Sequence, residues 1–336
     1  MANDRSVGFP APLGAPPHYH QPEPPRESVA PQEPRRSRIW LHFLLFGLTL
    51  ASMQVTAMNL QGAAPGHSLL GYGAYQAVSL LAILLVHELG HYVAARLHHV
   101  PASPPYFLPL PFLGLFGTLG AVITMSDRIR SRKALLDIGA AGPLAGMVVA
   151  IPVLYFGLTL SEVTPRSTSG FMQEGQSILY WLMKRAVFGP LAPEQDVQLH
   201  PMALAGWGGF MLTMLNLLPW GQLDGGHIAF ALFGEKQHHF ARWLRRGLLV
   251  VFAYNVIVYL VPAVLHRSSQ SVSDAAFTSV NWLLWYGITG LMARVSGEEH
   301  PPFEPEPLGF GRQVVAVVCL VLFVLLFLPT PMAFYS

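Results

Sequence analysis

Apolar residues in this chain run in long blocks, and formal charge is kept out of them. No Asp, Glu, Lys or Arg occurs from Ile39 to His87, from Ile138 to Ser161, or from Val197 to Leu223. A helix crosses a bilayer core with about 20 apolar residues. The pattern therefore predicts helical spans at about Ile39–Leu60, Tyr75–Leu97, Ala134–Leu160, His200–Leu218, Leu248–Leu265, Ala275–Ala293 and Val314–Ala333. The fold class is an all-α polytopic membrane protein with about seven transmembrane helices.

Two apolar stretches do not read as spans. Residues 101–126 carry prolines at 101, 104, 105, 109 and 111 and glycines at 114, 117 and 120. Such a segment predicts a re-entrant loop or short β strands, which a membrane protein tolerates where the backbone is buried in protein or lines a cavity. Residues 161–199 read as an outside loop. Within it Phe171, Ile178, Trp181, Leu182 and Phe188, with Lys184 and Arg185, suggest an amphipathic helix lying in the interface; an ordinary connection is the competing reading. Residues 1–37 hold nine prolines and no periodicity, so they are expected to be a disordered cytosolic tail ahead of a membrane domain at 38–336. The tail lacks the layout of a signal peptide.

Charge distribution orients the spans. With the tail in the cytosol, the 20 Lys and Arg residues all fall on the cytosolic side except Arg166, Lys184, Arg185 and Arg267. This is the positive-inside bias, and it puts the C-terminus outside. Composition agrees with a membrane protein: 52% of residues are hydrophobic and 11% charged, against roughly 25% charged in soluble domains. A net charge of +2 with no basic stripe gives no drive toward nucleic acid. The single cysteine, Cys319, excludes an intramolecular disulfide or thiolate cluster, so any metal rests on His and carboxylate. No organellar presequence is evident, which points to a bacterial plasma membrane.

Candidate chemistry begins at His87-Glu88-Leu89-Gly90-His91. On a helix, residues i and i+4 share a face, so both imidazoles reach one ion while Glu88 stands about 100° round. Two His and a carboxylate with one open position make a hydrolytic zinc site. Three ionisable groups ending an uncharged run are costly unless they serve a function. The candidate third ligand is Asp224, in Asn216-Leu-Leu-Pro-Trp-Gly-Gln-Leu-Asp-Gly-Gly-His227. The fourth span runs inward and ends near Leu218, at the depth where the second ends near His91. Pro219 breaks that helix, and Gly221, Gly225 and Gly226 let the backbone turn Asp224 back. His98, His99 and His227 read as interfacial, Asp137 as capping or solvated, and Gly142 and Gly146 as a small-xxx-small helix contact.

These two motifs make the chain resemble the site-2 protease family of intramembrane zinc metalloproteases. The resemblance covers about Leu80 to Gly226, within a core at about 75–226. Gly117-Thr-Leu-Gly-Ala-Val-Ile123 and Ala141-Gly-Pro-Leu-Ala-Gly146 also look like family features. It implies one Zn2+ per chain held by His87, His91 and Asp224, Glu88 as general base and acid, and Asn216 holding substrate or the developing oxyanion. Nothing resembles the PDZ or paired nucleotide-sensing domains of some members.

The expected activity is zinc endoproteolysis of transmembrane segments of membrane proteins near the cytosolic face. The 101–126 segment, with Gly117 and Gly120, is expected to hold unwound substrate along a strand edge. Two rivals stand beside this reading. A metal transporter needs a polar path that the uncharged outer halves of the spans do not offer. A non-proteolytic membrane chaperone or adaptor has no use for Glu88. The expected partners are a transmembrane substrate and the lipid bilayer, with no statement on oligomeric state.

Overall fold

A computed structural model describes residues 38–61, 68–111, 115–125, 129, 131–167, 170–296 and 306–335. The tail expected over residues 1–37 lies outside the described residues. The rest is mostly helical, because the uncharged blocks leave hydrogen bonding to the backbone itself. Helix α1 spans Ile39–Gln61, α2 Leu69–Leu97 and α3 Arg132–Thr159. Then come α4 (Ile178–Phe188), α5 (Pro201–Asn216), α6 (Asp224–Phe233) and α7 (Lys236–Asn255). A π-helical turn, Val256–Leu260, carries α7 into the short α8 (Val261–Val264), followed by α9 (Val272–Ser296) and α10 (Phe310–Leu326). Serine hydroxyls start three of these helices: Ser68, Ser131 and Ser177 accept from the amides of Gly71, Ala134 and Tyr180.

Helices α2, α3 and α5 form the centre, with α1 against α2, and α6 and α10 against α3. Small residues set their spacing. A Cβ on Gly206 of α5 would lie 2.6 Å from Leu154 Cα of α3, and one on Gly157 would collide with the backbone of Ala203. Around these contacts Leu80, Ile83, Leu154, Trp207, Phe210 and Met214 are buried. Without a water-driven hydrophobic force inside a bilayer, such backbone approach is what packing gains from.

Among the described residues four stretches are long and apolar enough to cross a membrane: Ile39–Asn59, Leu70–Leu97, Arg132–Thr159 and His239–Val264. The other expected spans fall short in the described residues. Helix α5 has 16 residues and α10 has 17, and α9, with Ser273, Thr278, Ser279, Asn281 and Thr289, is not apolar enough. The helix expected over Val314–Ala333 stops at Leu326, because Pro329 and Pro331 cannot donate to a helical ladder. Its last residues form a strand instead.

That strand, β6 (Met332–Tyr335), pairs antiparallel with β4 (Phe171–Glu174), while β3 (Glu162–Pro165) pairs with β5 (Gln195–Gln198). The expected amphipathic helix exists as α4, but Phe171 belongs to β4. Trp181 and Leu182 are exposed, and Lys184 points inward, 2.9 Å from Glu174 Oε1. Tyr180 donates to the same oxygen at 2.7 Å, and burial followed by the Glu174 charge holds its phenol well above the usual range.

The helix-breaking 101–126 segment folds as a hairpin. Strand β1 (Tyr106–Pro109) pairs antiparallel with β2 (Thr118–Val122) in the register Tyr106↔Val122 and Phe107↔Ala121. Gly117 has φ +70°, and its carbonyl accepts from Ser52 Oγ of α1 at 2.6 Å. His42, also on α1, donates from Nδ1 to the Pro105 carbonyl at 3.1 Å.

The packing gives a direct test. Gly206→Ala is expected to destabilise the chain by about 1–3 kcal/mol through overpacking. Gly47→Ala on α1, where a Cβ meets nothing within 4 Å, is expected to stabilise by up to about 1 kcal/mol from helix propensity. Thermal unfolding in detergent compares the two.

Candidate metal centre

One turn of α2 separates His87 from His91, so both imidazoles leave the same face toward α3. Their Nε2 atoms lie 3.2 Å apart, and each is 3.3 Å from Asp224 Oδ2. Among the described residues this is the one group of three or more His, Cys, Asp or Glu side chains able to share an ion. Bonds of about 2.0–2.1 Å to a tetrahedral ion separate its donors by about 3.3–3.4 Å. The three atoms already stand at the edge length of that tetrahedron, so the donor set fits zinc.

Surrounding residues hold the donors there. His91 donates from Nδ1 to the carbonyl of Ile138 at 2.7 Å, which leaves Nε2 with its lone pair facing the cluster. Asn216, the last residue of α5, brings Nδ2 to 3.2 Å from His87 Nε2. Asp224 opens α6 after a turn in which Gly221 has φ +56°. Gly225 and Gly226 lie so close to the carbonyls of Leu217 and Gly221 that any Cβ would collide with them. The Asp-Gly-Gly sequence thus folds α6 tightly under the end of α5 and delivers the carboxylate to the histidines.

Helix α3 supplies the floor through its glycines. A Cβ on Gly142 would run into the His91 ring, and one on Gly146 would lie 3.2 Å from His87 Cβ. The small-xxx-small spacing does bring helices close, and what it makes room for is the imidazole pair. Sequence spacing pointed to the contact but not to its occupants.

Glu88, only 7% exposed, lines a cavity of about 290 Å³ together with the three donors, Asn216 and His227. One wall is Ala121, Val122 and Ile123 of β2 and its extension. Gly117 and Gly120 do not line the cavity; they shape the hairpin before it reaches the site. His98 stands apart, 2.8 Å from Asp137 Oδ2, and Arg312 grips the same carboxylate at 2.7 Å. Asp137 is therefore an ion-pair junction of α2, α3 and α10 rather than a solvated cap.

Two histidines and a carboxylate beside a buried glutamate, in a cleft between apolar helices, are the parts of a membrane-embedded metallohydrolase. Residues 75–258, more than half of the sequence, match Peptidase family M50, and the chain belongs to that family. The resemblance to site-2 proteases read from the two motifs therefore holds. The chain is 32% identical over 214 residues to the probable zinc metalloprotease EGY2, chloroplastic, of Oryza sativa subsp. indica, covering 62% of this chain and 38% of that protein. It is 37% identical over 166 residues to the probable zinc metalloprotease EGY1, chloroplastic, of Arabidopsis thaliana, covering 48% and 30%. With EGY3 of Oryza sativa subsp. indica the identity is 29% over 269 residues, covering 71% and 40%. The chain thus spans 30–40% of the length of these relatives. Their names give a chloroplast address, so the bacterial plasma membrane expected from the sequence draws no support from them.

The α3 floor is testable with metal alone. Gly142→Ala pushes the His91 ring off its position and is expected to weaken zinc binding about 10–100-fold, the usual cost of disturbing a ligand's support. Gly47→Ala on α1, where a Cβ meets nothing within 4 Å, is the comparison, with zinc competition against a chromophoric chelator as readout.

Proposed function

We propose that the chain is an intramembrane zinc metalloendopeptidase that cuts transmembrane segments of membrane proteins near the cytosolic face. The observation that carries this reading is the convergence of His87, His91 and Asp224 at tetrahedral-edge spacing in an apolar helical interior. His87, His91 and Asp224 would hold one Zn2+. When bound, zinc supplies a Lewis acid that polarises a carbonyl and acidifies water toward neutral pH. Glu88 accepts the proton of the attacking water and passes it to the departing amide nitrogen. The Asn216 amide donates to the oxygen on which negative charge develops.

A helical substrate shields its own peptide bonds, so it must be held extended beside these groups. The outer edge of β2 suits this role. Thr124 accepts from the Ser103 amide on the β1 side, so by the two-residue alternation of a strand the backbone groups of Ala121 and Ile123 face away from β1. Both residues line the cavity, and an unwound segment can add there as a further strand. Residues 1–37 are taken as a cytosolic tail on a membrane domain at 38–336. Seven crossings, with α5, α9 and α10 completed by neighbouring helices, put the basic ends on the cytosolic side and the C-terminus outside.

A non-proteolytic adaptor on the same scaffold is the second reading, and Glu88 separates the two. Wild type and Glu88→Gln are expected to hold about one zinc per chain, with loss in His87→Ala and Asp224→Asn, measured by elemental analysis of detergent-purified protein. Glu88→Gln is expected to reduce cleavage of a model transmembrane peptide at least about 100-fold. Unchanged cleavage, or a Glu88→Gln phenotype identical to wild type in cells, sinks the protease reading.

Two further substitutions probe the substrate side. Asn216→Ala is expected to retain zinc and to lower kcat about 100- to 1,000-fold, as removal of one oxyanion donor does. Ala121→Pro removes an amide on the free edge without touching the β1 ladder. It is expected to raise KM while zinc content stays unchanged; normal KM in a folded variant rules out edge binding.

A further inference from the structure

The turn at residues 219–223 has two sides. Gln222 and Leu223 face the metal cavity, whereas Trp220 and Gly221 line a second cavity of about 280 Å³ between that turn, α7 and α9. Its other walls carry Gln237, Arg242, Arg245, Arg246 and Tyr286, and no acidic residue among the described residues. Arg242, Arg245 and Arg246 are three and four residues apart, so they share one face of α7. None of them forms an ion pair among the described residues.

Arg242 and Arg246 are exposed, whereas Arg245 is partly buried. Arg245 sits over the Tyr286 ring, its Cζ 4.5 Å from the centroid, a cation–π contact that still leaves guanidinium N–H groups to donate elsewhere. The group nests against Gly290 of α9, where a Cβ would stand 2.5 Å from its Nη2. Among the described residues its Nε, fully buried, has no hydrogen-bond partner, and neither has Oε1 of Gln237, a residue only 1% exposed. A buried donor and a buried acceptor left unpaired are each expensive. An occupant with an anionic oxygen for the Arg245 guanidinium and a hydroxyl for Gln237 meets both needs when the two side chains turn toward the cavity they line.

We propose that this cavity binds a hydroxyl-bearing phosphate. Its height favours the headgroup of an anionic phospholipid: the arginines occupy the first turns of the stretch His239–Val264, whose apolar residues Val250, Ile257, Val258 and Val261 are exposed further along. Basic pockets at that level between membrane helices suit phosphate headgroups. Free phosphate shares the chemistry and is the alternative source. The site is separate from the metal chemistry and uses none of its residues.

The test uses the full-length chain with two probes. In nanodiscs or mixed micelles, wild type is expected to retain phosphatidylglycerol saturably in native mass spectra, with at least about tenfold preference over phosphatidylcholine, which has neither net charge nor hydroxyl. Combining Arg242→Gln, Arg245→Gln and Arg246→Gln is expected to abolish that preference. Arg185→Gln on α4, a charge loss outside the pocket, is expected to leave it intact. Gly290→Ala displaces the Arg245 guanidinium without changing charge and is expected to weaken retention several-fold, which keeps the question answerable if the triple variant does not fold. Inorganic phosphate binding by calorimetry with the same arginine dependence, and no preference for the anionic lipid, would identify the soluble source. The proposal is overturned if wild type binds neither probe saturably, or if both arginine-pocket variants bind as wild type does.

Discussion

Two imidazole nitrogens and a carboxylate oxygen within 3.3 Å of one another in an apolar interior require positive charge among them, a shared proton or a metal ion. Much of the surrounding architecture serves that convergence. Helix α2 carries both histidines on one face. The Ile138 carbonyl fixes one tautomer, and the glycines of α3 clear the space that the rings occupy. The broken end of α5 and the tight start of α6 bring in the third donor from more than 130 residues away along the chain.

How much of this the sequence discloses depends on the range of the interaction. His87, Glu88 and His91 are legible because one helical turn relates them, and Asp224 because Pro219 and three glycines announce a turn at the right depth. Gly142 is legible only as a small residue. That it faces His91 depends on helix packing, which no local spacing encodes. The hairpin was half legible: prolines and glycines excluded a helix, while the β1–β2 register and the placement of Ala121 and Ile123 at the cavity are tertiary facts.

Hydropathy misplaced the end of the last helix for an equally physical reason. A window over 314–333 averages across Pro329 and Pro331, which end α10 and release the following residues to pair with β4. The arginines at 242, 245 and 246 entered the sequence reading only as part of a basic flank. Their convergence with Tyr286 and Gln237 appears only when α7 and α9 are side by side.

The hairpin also bears on where the working unit begins. The family match starts at residue 75, yet the hairpin beside the site is tied to residues upstream of it, through Ser52 to the Gly117 carbonyl and His42 to the Pro105 carbonyl. Thr56 adds a steric clamp, since only glycine at 117 fits against its hydroxyl. Helix α1 is thus a scaffold post for the strand, and the stretch of chain that holds the hairpin in place is longer at its front than the signature by which the family is recognised.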